Sequence, residues 1–479
     1  MKTAARLGRP TALVAAGQAA VKSTQLVLAL VLVRLLSDTS WNQVAFVLSI
    51  HLALVTFGAL GLQHSLLYFL ARHPGGERSI VLRTAAMTTA VGLAALGILA
   101  LLADRIGGQL QVESLLPLVG IAATLELCTV GMPSAFIALE RFRSAAVWDV
   151  ANSLVVVVAV GVAAATTGTA RGVVVALLAA AAMRLLAFVV VVPLTIPHSP
   201  GAVRPSRREQ LVYSLPLGLT LAASVLNRTL DKWYVAAFDP SQVGHYTLAA
   251  QEIPLLAVLP YAGGAVVAAE LARSFRDGDT NTAAALWHRQ TSSMARLVVP
   301  MSVALMLVAP ELLRLLAGET SRPMVLTFQL FTAITLHRVA EYGLLLRAAG
   351  RPRTVLVSAS VLLGANAILA LVGAVLWGAV GAAAGTLLAN VVAWVFVLRQ
   401  VGAALGTGFA QAFPWSEWGW AVGLSALAAL VAAQLAGTVH TTLAALVVKG
   451  TSFAALVLVA QRWRRSRVDD LAGAIGEAA

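Results

Sequence analysis

The side chains with the most chemical potential lie in residues 207–261, RREQLVYSLPLGLTLAASVLNRTLDKWYVAAFDPSQVGHYTLAAQEIPLLAVLPY. Two apolar runs joined by the short turn FDPSQVG carry Asn227, Arg228, Asp231 and Lys232, then Gln251 and Glu252. On a helix, Asn227 and Asp231 share a face, as do Arg228 and Lys232, because each pair is four residues apart. Arg offers a planar fork of donors and Lys a mobile point charge, so Arg228 and Lys232 suit an anionic ligand. Asp231 and Glu252 can hold those cations in one state of a working cycle or carry a coupling proton. A static salt-bridge knot that pins the two helices is the alternative.

Other groups extend the set. Gln18, Lys22 and Gln25 form one polar stripe at i, i+4, i+7 spacing. Arg34 follows near the end of the same run, where it can snorkel. His51 and His64 lie on the second run, and a lone histidine there is more often a packing residue than a functional one. Glu126 and Arg184 read as a structural pair between the fourth and sixth runs. His337 and Glu341, four residues apart, are expected to hydrogen-bond within one helix beside Arg338. Lys449 stands alone on the last run.

Elements that could position these groups follow from composition. The 479 residues are 59% hydrophobic and 11% charged, which no soluble domain of this size needs. Apolar segments of about 20 residues recur throughout, as expected of membrane-spanning helices. A β-barrel would instead alternate in segments of about ten residues. The reading is an all-α polytopic membrane protein with about fourteen transmembrane helices. The spans are placed at 11–36, 42–70, 80–103, 114–139, 145–167, 172–197, 211–237, 246–272, 294–316, 325–348, 354–376, 379–402, 417–437 and 440–462.

Charge supports this count. With both termini cytoplasmic, inside segments hold 23 of the 34 Lys and Arg, and outside loops hold five. The same bias explains the net charge of +13 without nucleic acid. Trp41, Trp233 and Trp377 fall near outer ends, and Trp148, Trp415, Trp418 and Trp463 near inner ends, as interfacial anchors would. The basic N-terminus precedes an apolar run longer than a signal-peptide core, so an uncleaved first helix is expected. Cys128 is the single cysteine. Zinc spacing and a GxxxxGK[ST] loop are absent, and no metal or cofactor is expected. The loops are short, which argues against a membrane-embedded glycan polymerase or ligase.

Spans one to six and seven to twelve are of similar length and start on the same side. The turns LLSDTSWNQVAF and AFDPSQVGHYTL both pair a DxS with an outgoing helix. The expected organisation is 1–200, 201–405 and 406–479: two six-helix lobes and a C-terminal helix pair with a basic tail.

Four stretches carry a family likeness: PLGLTLAASVLNRTLDKWYVAAFDPSQVGHYTLA, ALERFRSAAVWDV, ARSFRDGD…RLVVPMSVALMLVAPELLRLLAG and AAGRPRTVLVSASVLLGANAILALV…GAVGAAAGTLLANVVAW. In order and spacing the chain resembles the polysaccharide (lipid-linked oligosaccharide) flippases of the multidrug/oligosaccharidyl-lipid/polysaccharide exporter superfamily. The turn Asn42-Gln43 departs from the glycine usual there. The resemblance implies two lobes in a V about a cavity, and alternating access. It implies transfer of a polyprenyl-diphosphate-linked oligosaccharide to the outer leaflet of the inner membrane, for cell-surface polysaccharide biosynthesis. Lys22, Arg228 and Lys232 would hold the diphosphate, with Arg34, Gln18, Gln25 and Asn227 beside them. Asp231, Glu252, His51 and Glu341 would serve coupling or gating, to a proton or sodium gradient. Membrane lipid and other polysaccharide-assembly proteins are the expected partners. A gradient-driven multidrug or metabolite exporter is the main alternative, though a cation-rich site favours an anionic substrate.

Overall fold

The structure, a computed structural model, describes residue 24 and residues 26–196, 205–318, 320–439 and 441–477. Gln18, Lys22 and Gln25 lie outside these. Every long element among the described residues is an α-helix. Among the described residues, nine helices are long and apolar enough to cross a membrane, or ten if one bent pair is a single span. About fourteen spans remain consistent with this count, because several are short, broken or merged and the first is only partly described. By internal contacts the helices fall into two compact units, 1–251 with 374–379, and 252–373 with 380–479.

In the first unit, α1 (Leu26–Leu35) is the described part of the first span. Span two is split into α2 (Asp38–Gly58) and α3 (Leu62–Arg72). Leu60 and Gly61 both take positive φ there, 48° and 71°. The split seats another helix: a Cβ on Gly61 would lie 2.5 Å from Gly218 N and Ser214 O of α9 (Arg207–Phe238). Glycine is needed at Gly61 for its φ and at both positions for this backbone-to-backbone approach. α4 (Glu77–Gly107) is continuous, whereas span four divides into α5 (Leu116–Thr129) and α6 (Met132–Ala138). The GTARG turn between α7 (Phe142–Thr167) and α8 (Ala170–Thr195) is a genuine break. Gly168 is left-handed, and the Thr169 hydroxyl accepts from Gly172 N at 3.2 Å, an N-cap.

The predicted eighth span, 246–272, is broken. A short α10 (Val243–Ala249) ends, residues 250–253 are irregular, and α11 (Pro254–Arg276) restarts. Pro254 dictates this: the residue before a proline is pushed out of the α region, and Ile253 has ψ 113°. Glu252 therefore sits in a break rather than on a helix.

In the second unit, span nine bends by 67° between α12 (Thr280–Leu307) and α13 (Ala309–Ala317). The predicted tenth span is also broken, into α14 (Arg322–Ile334) and α15 (Tyr342–Ala348). Spans eleven and twelve run together as α16 (Pro352–Leu405), whose 54 residues would extend about 80 Å if straight, more than two bilayer cores. Non-helical backbone at Trp377 and Gly378, within the stretch 374–379 that belongs to the first unit, folds it back. A Cβ on Gly373 would overlap Gly381 O, and one on Gly385 would overlap Leu369 O, so the two limbs meet backbone to backbone. α17 (Trp415–Leu435) and α18 (Thr442–Glu477) complete the unit.

The tryptophans divide. Trp377 and Trp463 are exposed like interfacial anchors, but Trp41 and Trp148 are buried, and Trp415 and Trp418 pack in an aromatic cluster.

Candidate functional site

α9 supplies the central candidates of the first unit. Its start is capped by Ser206, whose hydroxyl accepts from Glu209 N at 3.0 Å. Further along, Val225, Thr229, Asp231 and Val235 are buried. Asp231 is 2% exposed and accepts the Tyr246 hydroxyl at 2.9 Å, tying α9 to α10. Trp233 Nε1 donates to Ser49 Oγ on α2 at 3.0 Å. With this face committed to packing, Arg228 is left exposed. Lys232 is half-buried and donates to Arg228 O at 2.8 Å, so it lies along its own helix one turn from Arg228. Asn227 is half-buried and Arg34, at the end of α1, is exposed.

Arg228 lies ten residues from the end of α9, about 15 Å along the axis, which is half the thickness of a bilayer core. Lipid solvates such a charge poorly, at a cost of about 2.5–3.5 kcal/mol on insertion scales. An exposed guanidinium at this depth is therefore expected to face water or an anion.

A second cluster is closed. Arg184 of α8 donates from Nη1 to Glu126 Oε1 of α5 at 2.9 Å, the pairing expected from the sequence. His51 of α2 joins it, with Nε2 3.4 Å from Glu126 Oε2. The three side chains are only 12–27% exposed. Paired charge of this kind ties three helices together.

The second unit arranges charge around its helix breaks. Arg338 Nη1 lies 3.4 Å from Glu252 Oε1, and its Nη2 donates to Asn390 Oδ1 at 3.1 Å. Arg338 and Glu252 remain 44% and 49% exposed. Glu341 precedes α15 and pairs with Arg347 at 3.3 Å. This corrects the expectation that His337 and Glu341 bond within one helix: residues 335–341 are not helical. His337 stacks on Trp394 at 5.1 Å instead. The break persists because its freed carbonyls find donors. Trp418 Nε1 donates to Leu336 O and the Tyr342 hydroxyl to His337 O, both at 2.7 Å, while Trp394 Nε1 donates to the Tyr342 oxygen at 2.9 Å. Lys449, isolated in the sequence, donates to Glu311 Oε1 at 2.7 Å.

Three features escaped the sequence. The Asn42 amide donates to Ser241 O at 2.9 Å and accepts from Gly244 N at 2.7 Å, so the two DxS turns are laced to each other. Asp239, in the second of these turns, accepts from Ala379 N at 3.1 Å. Arg83 donates to Gln210 Oε1 at 2.9 Å, and Gln210 Nε2 donates to Thr84 Oγ1 at 2.7 Å, pinning the start of α9 to α4. The only sequence signals were the polar types themselves, since every partner is remote in the chain.

A family model described as polysaccharide biosynthesis protein matches residues 7–267. The fold is similar to that of the lipid II flippase MurJ in an inward closed conformation, at 12% identity and TM-score 0.76, over 95% of this chain and 99% of that one. It is also similar to a multidrug resistance MATE family transporter of the MOP superfamily in an inward-facing conformation, at 14% identity and TM-score 0.57, over 80% and 94% of the two chains. A MOP superfamily transporter from Pyrococcus furiosus aligns at 14% identity and TM-score 0.51, over 84% and 95%. No curated protein matches the sequence. At these identities the likeness establishes the fold: that of multi-pass membrane flippases and transporters.

Proposed function

The chain belongs to the polysaccharide biosynthesis protein family, and from that premise we propose that it is an inner-membrane flippase. Its cargo would be a polyprenyl-diphosphate-linked oligosaccharide, carried from the cytoplasmic to the outer leaflet by alternating access of two lobes with cytoplasmic termini. The observation that carries the reading is the exposed Arg228 near mid-membrane on α9. A guanidinium there supplies the forked donor set a diphosphate requires. Lys232 adds charge one turn away, and Lys22 is the expected counterpart from the first span. Arg338 and Glu252 add an exposed pair in the second unit, suited to sugar hydroxyls or to gating. A proton or sodium gradient would drive the cycle, with Asp231, Glu252, His51 and Glu341 as the coupling candidates.

The test is flipping of a labelled polyprenyl-diphosphate oligosaccharide in proteoliposomes. A hydrogen bond to a charged group contributes about 1.5–3 kcal/mol, so Arg228→Ala should slow flipping about ten- to a hundredfold. Full flipping by both Arg228→Ala and Lys22→Ala would remove the diphosphate-binding role. A rate indifferent to collapse of both gradients would remove the coupling.

A further inference from the structure

A second site lies in the wall of the first unit, away from α9. Along α7 and α8 runs a cavity of about 690 Å³, within the size range of small-molecule sites. Its lining extends from Arg143 to Val155 on α7, about 18 Å along the axis. Val147, Val155, Met183, Ala187 and Val191 make the lining mostly apolar. Val147 and Met183 are exposed, as are Leu154, Val158, Leu186 and Val190 on the same two helices. The groove therefore opens on the apolar outer surface of a membrane-spanning unit, where acyl chains have direct access.

Two arginines line the groove. Arg184 is already paired with Glu126, so Arg143 is the cation left for a ligand. Arg143 is exposed at the first turn of α7 and makes no hydrogen bond or ion pair among the described residues. A helix C-terminus would ordinarily repel an anion. At the end of α8 that effect is offset, because Arg141 donates to Thr195 O at 2.7 Å and Arg78 donates to Pro193 O at 2.8 Å and Ile196 O at 3.0 Å. The result is an apolar slot with one cationic end, at Arg143.

We propose that this groove holds a membrane phospholipid with an anionic headgroup, its phosphate at Arg143 and one acyl chain along α7 and α8. The charge pattern complements such a lipid, and the groove does not involve Arg228, so the assignment stands or falls apart from the flipping reaction.

Native mass spectrometry of the purified full chain tests it, with phosphatidylglycerol and phosphatidylcholine of identical acyl chains supplied at equal concentration. Phosphatidylglycerol should be retained preferentially. Arg143→Gln should lower its occupancy about tenfold, as expected for loss of a charged hydrogen bond. Ser144→Asp should exclude phosphatidylglycerol while sparing phosphatidylcholine, and Val147→Trp should displace both. Position 143 is exposed and so is position 147, so unchanged thermal melts should accompany these two changes. Equal retention of the two lipids, or occupancy indifferent to Arg143→Gln and Ser144→Asp, would overturn the site. Displacement of phosphatidylglycerol by equimolar undecaprenyl phosphate would overturn the choice of a phospholipid.

Discussion

Two regions place charge inside a membrane protein in opposite ways. The knot of His51, Glu126 and Arg184 closes its charges between α2, α5 and α8. The break at residues 335–341 leaves Arg338 and its partner Glu252 nearly half exposed. Composition does not separate them, since each joins an arginine to a glutamate within apolar segments. The difference is in the backbone. The knot joins three helices through side chains and leaves their ladders intact. At the break the ladder is interrupted, and aromatic donors satisfy its carbonyls. Continuous helices can lock charge away, and a supported break can present it.

The largest effect should come from opening the knot. Glu126→Leu leaves Arg184 buried without its carboxylate, and breaking a buried pair costs about 3–5 kcal/mol. The double variant Glu126→Leu with Arg184→Leu should recover most of that loss in thermal unfolding. Equal melts for the single and double variants would show that the pair is not what satisfies Arg184. Trp418→Phe tests the break. It keeps an aromatic ring, though a smaller one, and orphans Leu336 O, at a cost of about 1–3 kcal/mol. Proteolysis or hydrogen exchange should localise the loss to residues 335–341, and uniform loosening would assign the support elsewhere. Lys449→Met, which unpairs Glu311 on α13, should also destabilise, and Glu311→Gln in the same background should restore part of the loss. Arg338→Ala should change stability least, within about 0.5 kcal/mol, while lowering transport. A large drop in its melting temperature would move this arginine into the same class as Arg184.

How much of this was legible depends on where the partner lies. Glu126 and Arg184 could be matched from depth alone, because apolar helices offer a mid-membrane charge few other companions. The break at Pro254 was visible as a proline. That at 335–341 was not, since TLHRVAE holds no glycine or proline. Its departure from the helix is stabilised by Trp418 and Trp394, which are remote in sequence. Asn42 stood out as a departure from pattern, but its role needed Ser241 and Gly244 alongside. Arg228 and Asp231, three residues apart, were both candidates in the sequence, one for the ligand and one for coupling. Packing against α2 and α10 divides them into an exposed cation and a buried tie.

The contact between Gly61 and Gly218 also bears on biogenesis. Gly218 follows Gly61 by 157 residues, which at about 5–20 residues per second is about 8–31 seconds of synthesis. Throughout that interval the notch at Leu60–Gly61 is made and has no helix to seat. Span two cannot reach its final packing until span seven enters the bilayer, so the order of assembly in this unit is set by the ribosome. A side chain at either glycine should show itself first as slow maturation and turnover of newly made chains.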